Sequence, residues 1–248
     1  MPAIKQEPIR NSVLAALPRK LYLRLRASLV PVTLNFGDVL YDAGDEIRHV
    51  YFPGDSIVSL LTLVDGHLAL EIGLVGREGM VGVPLVLGIK VSPVRALVQG
   101  GGSALRMDAA RFLKELRRSE LLQGHLHRYT HELMAQITQT AACNRFHTVH
   151  ERLSRWLLMT RDRSRSAAFH LTHEFLSNML GVRRVGVTEA ASELQRRKLI
   201  EYSRGDISIL DHLGLEAASC CCYELVRNMN DGAPRLQAWN SNAEVSRA

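Results

Sequence analysis

LTHEFLSNMLGVRRVGVTEAASELQRRKLIEYSRGDISIL, from Leu171 to Leu210, decides the fold. It reads as two short helices joined by a turn at Gly181, with a two-stranded ribbon behind them. Two crossing helices need apolar residues at Leu176, Leu180, Val182, Val187 and Ala190, and all five are apolar. The small residue Ser177 stands where the helices would touch. Thr172 can cap the first helix through its hydroxyl, with Glu174 in the first turn near the positive end of the dipole. The second helix is expected from about Arg184 to Lys198, because Val187, Ala190, Ala191 and Leu194 recur at helical spacing. Its other face carries Arg183, Arg184, Thr188, Glu189, Arg196 and Arg197. Leu199 to Tyr202 and Ile207 to Leu210 are strand-like runs around Arg204-Gly205, a tight-turn dipeptide. Helix, glycine, helix and hairpin together predict a winged helix-turn-helix, which places its second helix in the DNA major groove.

The stretches LTHEFLSNMLGVRR, TEAASELQRRKLIEY and RGDISILD resemble the C-terminal domain of the Crp/Fnr family of bacterial regulators. The resemblance implies transcription regulation, double-stranded DNA as partner and RNA polymerase as a second one. It also implies that Arg184 holds the position whose arginine reads guanine. Val185 and Glu189 stand where well-known cyclic-AMP receptors carry glutamate and arginine, so a different operator is expected. The DNA-contacting set is thus Thr172, Arg183, Arg184, Val185, Thr188, Glu189 and Arg204.

The chain has 248 residues, enough for one large or two modest domains. Its net charge of +6 favours an anionic partner without choosing among nucleic acid, membrane surface and acidic ligands. Basic residues outnumber acidic ones in both halves, so the DNA argument rests on pattern. The first residues carry no signal-peptide pattern, and no apolar run approaches the roughly 20 residues that span a membrane. A cytoplasmic location is expected. No nucleophile motif, metal triad or nucleotide loop is present in the sequence, so an enzyme is not expected.

Residues 11–30 read as a helical lead-in through Leu14, Leu17, Leu21 and Leu25. From Val32, closely spaced turn signals at Gly37-Asp38, Gly44-Asp45, Gly54-Asp55, Asp65-Gly66 and Gly76 to Gly79 separate short strands, which predicts an antiparallel roll or barrel over residues 11–107. GDVLYDAGDEIRHVYFPGDSIVSL resembles the family's cyclic-nucleotide-binding β-roll, a jelly-roll of cupin type. Cyclic-AMP binders show Gly-Glu-x-x and later Arg-Ser or Arg-Thr; here stand Gly82-Val83-Pro84-Leu85 and Ser92-Pro93. The carboxylate for the ribose and the arginine for the phosphate are missing, so canonical cyclic-AMP binding is not expected. Val83, Leu85 and Arg95 mark the place of another effector, or of a filled core. Gly100 to Gly102 read as a hairpin turn rather than a phosphate loop, since no Walker lysine follows.

Residues 108–145 are expected to form a helical hairpin. On its longer helix Leu122, Leu126, Tyr129, Leu133, Gln136 and Thr140 alternate steps of three and four, with Ile137 beside them, which is the seam of a paired helix. The same stripe could pack on the chain's own roll. Resemblance favours a dimer helix, and a two-fold pair doubles the DNA site. His127 and His131 lie one turn apart without a third ligand at readable spacing. Cys143 stands alone and Cys220, Cys221 and Cys222 are adjacent, a spacing suited neither to a disulfide framework nor to a zinc site. Buried reduced thiols are the simplest reading; a redox- or metal-sensing regulator using Cys143 or a histidine cluster is the alternative. The DNA-binding domain is expected over 146–228, anchored by Val149, Leu153, Trp156 and Leu157, with Arg161 to Ser166 as a solvated turn. A helical stripe through Leu213, Ala217 and Cys220 should follow, and 229–248 should be a disordered tail. The expected class is therefore α+β: an antiparallel β-roll, a long dimerisation helix and a C-terminal winged helix-turn-helix.

Overall fold

A computed structural model describes residues 9–64, 68–164 and 168–230. The turn residues Arg165 and Ser166 and the tail beyond Asn230 lie outside the described residues. Two units can be distinguished, one built from residues up to 62 and from 74 to 130, the other from 63 to 73 and from 131 onward.

The first unit opens with α1 (Ser12–Ala15) and α2 (Arg19–Arg26), then β1 (Val30–Leu34), β2 (Val39–Tyr41), β3 (His49–Pro53), β4 (Ile57–Val64) and β5 (Leu68–Val75), of which residues 63–64 and 68–73 are counted with the second unit. A short 3-10 turn, Val83–Leu87, precedes β6 (Arg95–Gly100) and β7 (Gly102–Asp108), and α3 (Ala109–Arg117) follows. The strands form two antiparallel sheets of order β1-β7-β3 and β2-β6-β4-β5. On β6 alternation buries Ala96 and Val98, whereas Val50 to Phe52 on β3 and Ile57 to Leu61 on β4 are consecutive buried residues, covered on both faces. Because β6 and β7 belong to different sheets, Gly100 to Gly102 form a corner rather than the expected hairpin. A Cβ on Gly102 would stand 2.8 Å from the Asp55 carbonyl carbon, so the close passage of chain there requires glycine. Buried Asn11 caps α1 by accepting from Leu14 N, and donates to the carbonyls of Pro53 and Gly79.

Both units share α4 (Glu120–Phe146). In the second unit come α5 (Val149–Ser164), β8 (Ala168–His170), α6 (His173–Leu180), α7 (Arg184–Arg196), β9 (Ile200–Ser203), β10 (Asp206–Ile209), α8 (His212–Ala218) and α9 (Cys222–Asn230). Leu153, Leu157, Leu176, Val187, Leu194 and Ile207 are almost wholly buried and form its core. The ribbon has a third strand, in order β8-β10-β9. Helix α5 continues through Ser164, so Arg161 to Ser164 are helical rather than a turn. Arg163 is buried and donates to the Met159 carbonyl, one turn back. On α8 it is Leu215 and Ala218 that face inward, while Leu213 is 74 % exposed; the expected Leu213 stripe is on the wrong face.

The expected dimer seam also needs correction. Leu122, Leu126, Tyr129, Leu133 and Gln136 are each less than a tenth exposed within a single chain, so they have no surface left for a partner. Ile137 and Thr140 are half-buried. The exposed stripe is displaced by one to two residues, through His127, His131, Met134, Thr138, Ala141 and Arg145. One residue is about 100° of helix, and both stripes keep the same alternation of three and four.

Candidate nucleic-acid interface

Gly181 makes the turn between α6 and α7 with φ +61°, a left-handed conformation that glycine adopts without strain. Val182 N donates to the Ser177 carbonyl across that turn at 3.0 Å, and Thr172 Oγ1 caps α6 by accepting from Phe175 N at 3.1 Å. The far end of α6 is fixed by buried Arg152, whose guanidinium donates to the Leu180 carbonyl. Helix α7 is helical from Arg184 onward. It turns Val187, Ala190, Ala191 and Leu194 inward and leaves Arg184, Val185, Thr188 and Glu189 exposed. Arg183 occupies its N-cap and offers no side-chain cap. The first amide groups therefore face outward beside two guanidinium groups, an arrangement that attracts a phosphate. Farther along, Arg196 is tied to Glu193 at 2.7 Å.

The wing is a two-residue hairpin. Ser203 pairs with Asp206, Arg204 has φ +50° and Gly205 φ +93°, as the expected Arg204-Gly205 turn demands. Arg204 is exposed at its tip. One residue that the sequence reading passed over, His173, joins wing and helices. Its ring stacks on Tyr202 with centroids 4.5 Å apart, and its Nδ1 lies 3.0 Å from Thr188 Oγ1. Burial, with the Arg184 charge second, lowers the pKa of His173 below 6.5. Tyr202 in turn donates to the Leu171 carbonyl at 3.0 Å. Thr188 is thus positioned by His173 as well as exposed. In sequence His173 merely follows the capping Thr172, a signal too weak to have found it.

In the first unit, the expected effector residues do not gather. Leu85 is 1 % exposed and fills core, Val83 is half-buried, and Arg95 makes a 2.5 Å ion pair with Asp42. A groove of about 930 Å³ lies elsewhere in this unit, lined by Arg10, Tyr22, Arg26, Val32 and Phe52 among others. His127 and His131 are exposed. Three of the cysteines are free and buried, as expected, and Cys221 is exposed; what the spacing did not suggest is that Cys143, Cys220 and Cys222 lie together and that His147 joins them.

Residues 151–218 match the family model of the Crp-like helix-turn-helix domain. No curated protein matches the chain. Among solved structures, TTHB099, a CRP-family transcriptional regulator from Thermus thermophilus, superposes with a TM-score of 0.63 at 17 % identity, over 76 % of this chain and 96 % of that one. FixK2 from Bradyrhizobium japonicum gives 0.65 at 13 %, over 77 % and 98 %. The c-di-GMP responsive regulator CLP from Xanthomonas campestris gives 0.63 at 16 %, over 77 % and 99 %. At such identities these structures show the shared fold; the domain match adds the DNA-binding module. Residues 151–218 are thus a Crp-like helix-turn-helix domain, a DNA-binding module. The fold of the chain is shared with solved regulators of the CRP and Crp/Fnr type. No described helix is long and apolar enough to cross a membrane.

Proposed function

We propose that the chain acts in the cytoplasm as a homodimer that reads a two-fold operator through α7, presenting its promoter to RNA polymerase, with an effector other than cyclic AMP as its signal. The observation that carries this reading is the face of α7: Arg184, Val185, Thr188 and Glu189 are exposed together beside Arg183, on a helix whose opposite face is locked into the core. Arg184 suits the paired acceptors of guanine, Val185 a thymine methyl, and Glu189 a cytosine amine. Arg183 at the N-cap and Arg204 on the wing suit phosphate, and Thr172, exposed at the start of α6, suits it through its hydroxyl.

The dimer rests on the exposed stripe of α4, where Met134 is 60 % exposed and the small Thr138 and Ala141 follow it at the spacing of a two-helix seam. Two features argue against cyclic AMP. Arg95 already has Asp42 as its partner, and no carboxylate stands in Val83–Leu87. The deciding experiment is selection of binding sites from random duplexes, run beside calorimetric titration with cyclic AMP. An inverted repeat and no heat of binding are expected. A single unpaired half-site would overturn the dimeric reader, and micromolar cyclic-AMP binding would overturn the effector assignment.

A further inference from the structure

The second unit contains a side-chain cluster that DNA binding does not use. Cys143 lies in the last turn of α4, and His147 follows one helical turn later, its N–H donating to the Cys143 carbonyl at 3.1 Å. A spacing of four residues puts both side chains on one side of the helix end. Cys220 and Cys222 come from the bend between α8 and α9, where alternate residues point inward and the intervening Cys221 points to solvent. The result is three sulfurs and an imidazole nitrogen, all within 4.8 Å of one another.

We propose that Cys143, His147, Cys220 and Cys222 bind one thiophilic divalent cation, zinc by preference, and that the cation pins the end of α4 to the corner between α8 and α9. The size of the cluster supports a single ion. Zinc bonds of about 2.3 Å to sulfur and 2.0–2.1 Å to nitrogen give a tetrahedron with edges of about 3.8 Å between sulfurs and 3.6 Å from sulfur to nitrogen. Here Cys143 Sγ and Cys220 Sγ are 3.5 Å apart, and Cys222 Sγ and a His147 ring nitrogen are 3.5 Å apart. The remaining separations need only small side-chain rotations to close. A multi-iron cluster would hold its thiolates farther apart than this.

The surroundings fit an anionic centre. Three thiolates and a neutral imidazole around a divalent cation carry one net negative charge, and binding releases three protons from the thiols. Gln139 Nε2 donates to Cys222 Sγ at 3.0 Å, the kind of outer hydrogen bond that orients a metal-bound thiolate. Arg152 and Arg155 are both buried, and each has an Nε with no hydrogen-bond partner; the charge of Arg155 acts on Cys143, and that of Cys143 on Arg152. Two incompletely satisfied buried guanidinium groups are costly unless negative charge stands near them. With four protein ligands no position is left open for a substrate, which makes the site structural. The assignment stands independently of how the chain reads DNA.

The test uses the full chain, stripped with chelator under reductant and titrated with cobalt(II) as a spectroscopic probe, then with zinc as competitor. One cobalt per chain is expected, with the visible bands of tetrahedral coordination, thiolate-to-cobalt charge transfer, and loss of both on adding zinc. C143S and C222S should abolish the bands, Gln139→Leu should weaken binding roughly 10–100-fold, and Cys221→Ser should change nothing. Circular dichroism establishes that each variant is folded; if the serine variants do not fold, the Gln139→Leu and Cys221→Ser titrations decide. The proposal is overturned if the folded parent shows no cobalt bands, if it holds iron and sulfide instead, if Cys221→Ser loses the bands, or if Gln139→Leu binds as tightly as the parent. Recovery of a Cys143–Cys220 disulfide with no metal bound under reductant would overturn it too.

Discussion

Trp156 Nε1 donates to Glu71 Oε1 at 2.9 Å, and both side chains are less than a tenth exposed. Trp156 belongs to α5 and Glu71 to the hairpin tip that forms part of the same unit. Beside them is a cavity of about 20 Å³ lined by Gln136, Thr140, Asn144, Arg152 and Arg155, polar and large enough for one water molecule. The indole thus carries a polar anchor as well as apolar area. Trp156→Phe keeps most of the ring and removes the donor, leaving a buried carboxylate short of one partner. A loss of about 1.5–3 kcal/mol is expected, read from denaturant midpoints. An unchanged midpoint would show that the bond contributes nothing.

The two stripes of α4 make opposite predictions for neighbouring residues. Met134→Asp places a charge on the exposed stripe and should yield a folded monomer at micromolar concentration. Leu133→Asp buries an unpaired carboxylate inside the chain and should unfold it, because an unpaired buried charge is not tolerated. Sedimentation separates the mass change and circular dichroism the unfolding. A folded monomer from Leu133→Asp together with a dimer from Met134→Asp would restore the seam read from sequence.

That seam shows what periodicity can and cannot tell. The helix-turn-helix was legible because its signals are local: Gly181 at the turn, Val187 to Leu194 at helical spacing, and Arg204-Gly205 at the hairpin. On α4 the period gave the helix but not the face, since the stripe buried against the chain itself and the stripe left open show the same alternation of three and four, displaced by only one to two residues. Strand β8 is three residues long and finds its place only by pairing with β10. The cysteine cluster escaped for another reason. Cys143 and Cys220 are 77 positions apart, and only the folded second unit brings them together. The available clue was the pairing of a Cys and a His four residues apart at a helix end with two cysteines separated by one residue.

His173 predicts a pH dependence. Its pKa is depressed in the folded state, so above pH 6.5 the ring is neutral folded or unfolded and stability is fully present. As pH falls below 6.5 the unfolded chain binds the proton more readily, and stability is lost down through the folded pKa. His173→Asn keeps an acceptor toward Thr188 without the titration. Its stability should fall less between pH 6.5 and about pH 5 than that of the parent. Since burial also lowers His49, His125 and His150, the slope should shrink rather than vanish. An identical pH profile in the variant would remove His173 from the account.

Arg183 and Arg184 are adjacent, exposed and equally charged, yet their positions assign them different work. Arg184 is the first residue of α7 and shares its outward face with Val185 and Thr188, whereas Arg183 is the cap, in extended backbone at the turn. A side chain from the first turn of a recognition helix can reach base edges, while one from the cap lies against the sugar-phosphate strand. Arg184→Ala should therefore cost roughly 1–3 kcal/mol on the preferred operator and relax discrimination at one base pair in each half-site. Arg183→Ala should weaken preferred and random duplexes alike, and lower the slope of log affinity against log salt by about 1. Both variants keep the buried face of α7, so each should retain the parent's thermal unfolding. Binding-site selection followed by salt-dependent titration distinguishes the two roles. If Arg184→Ala kept full sequence preference while Arg183→Ala lost it, the helix would enter the groove with its register displaced by one residue, and Val185 and Glu189 would have to be reassigned with it.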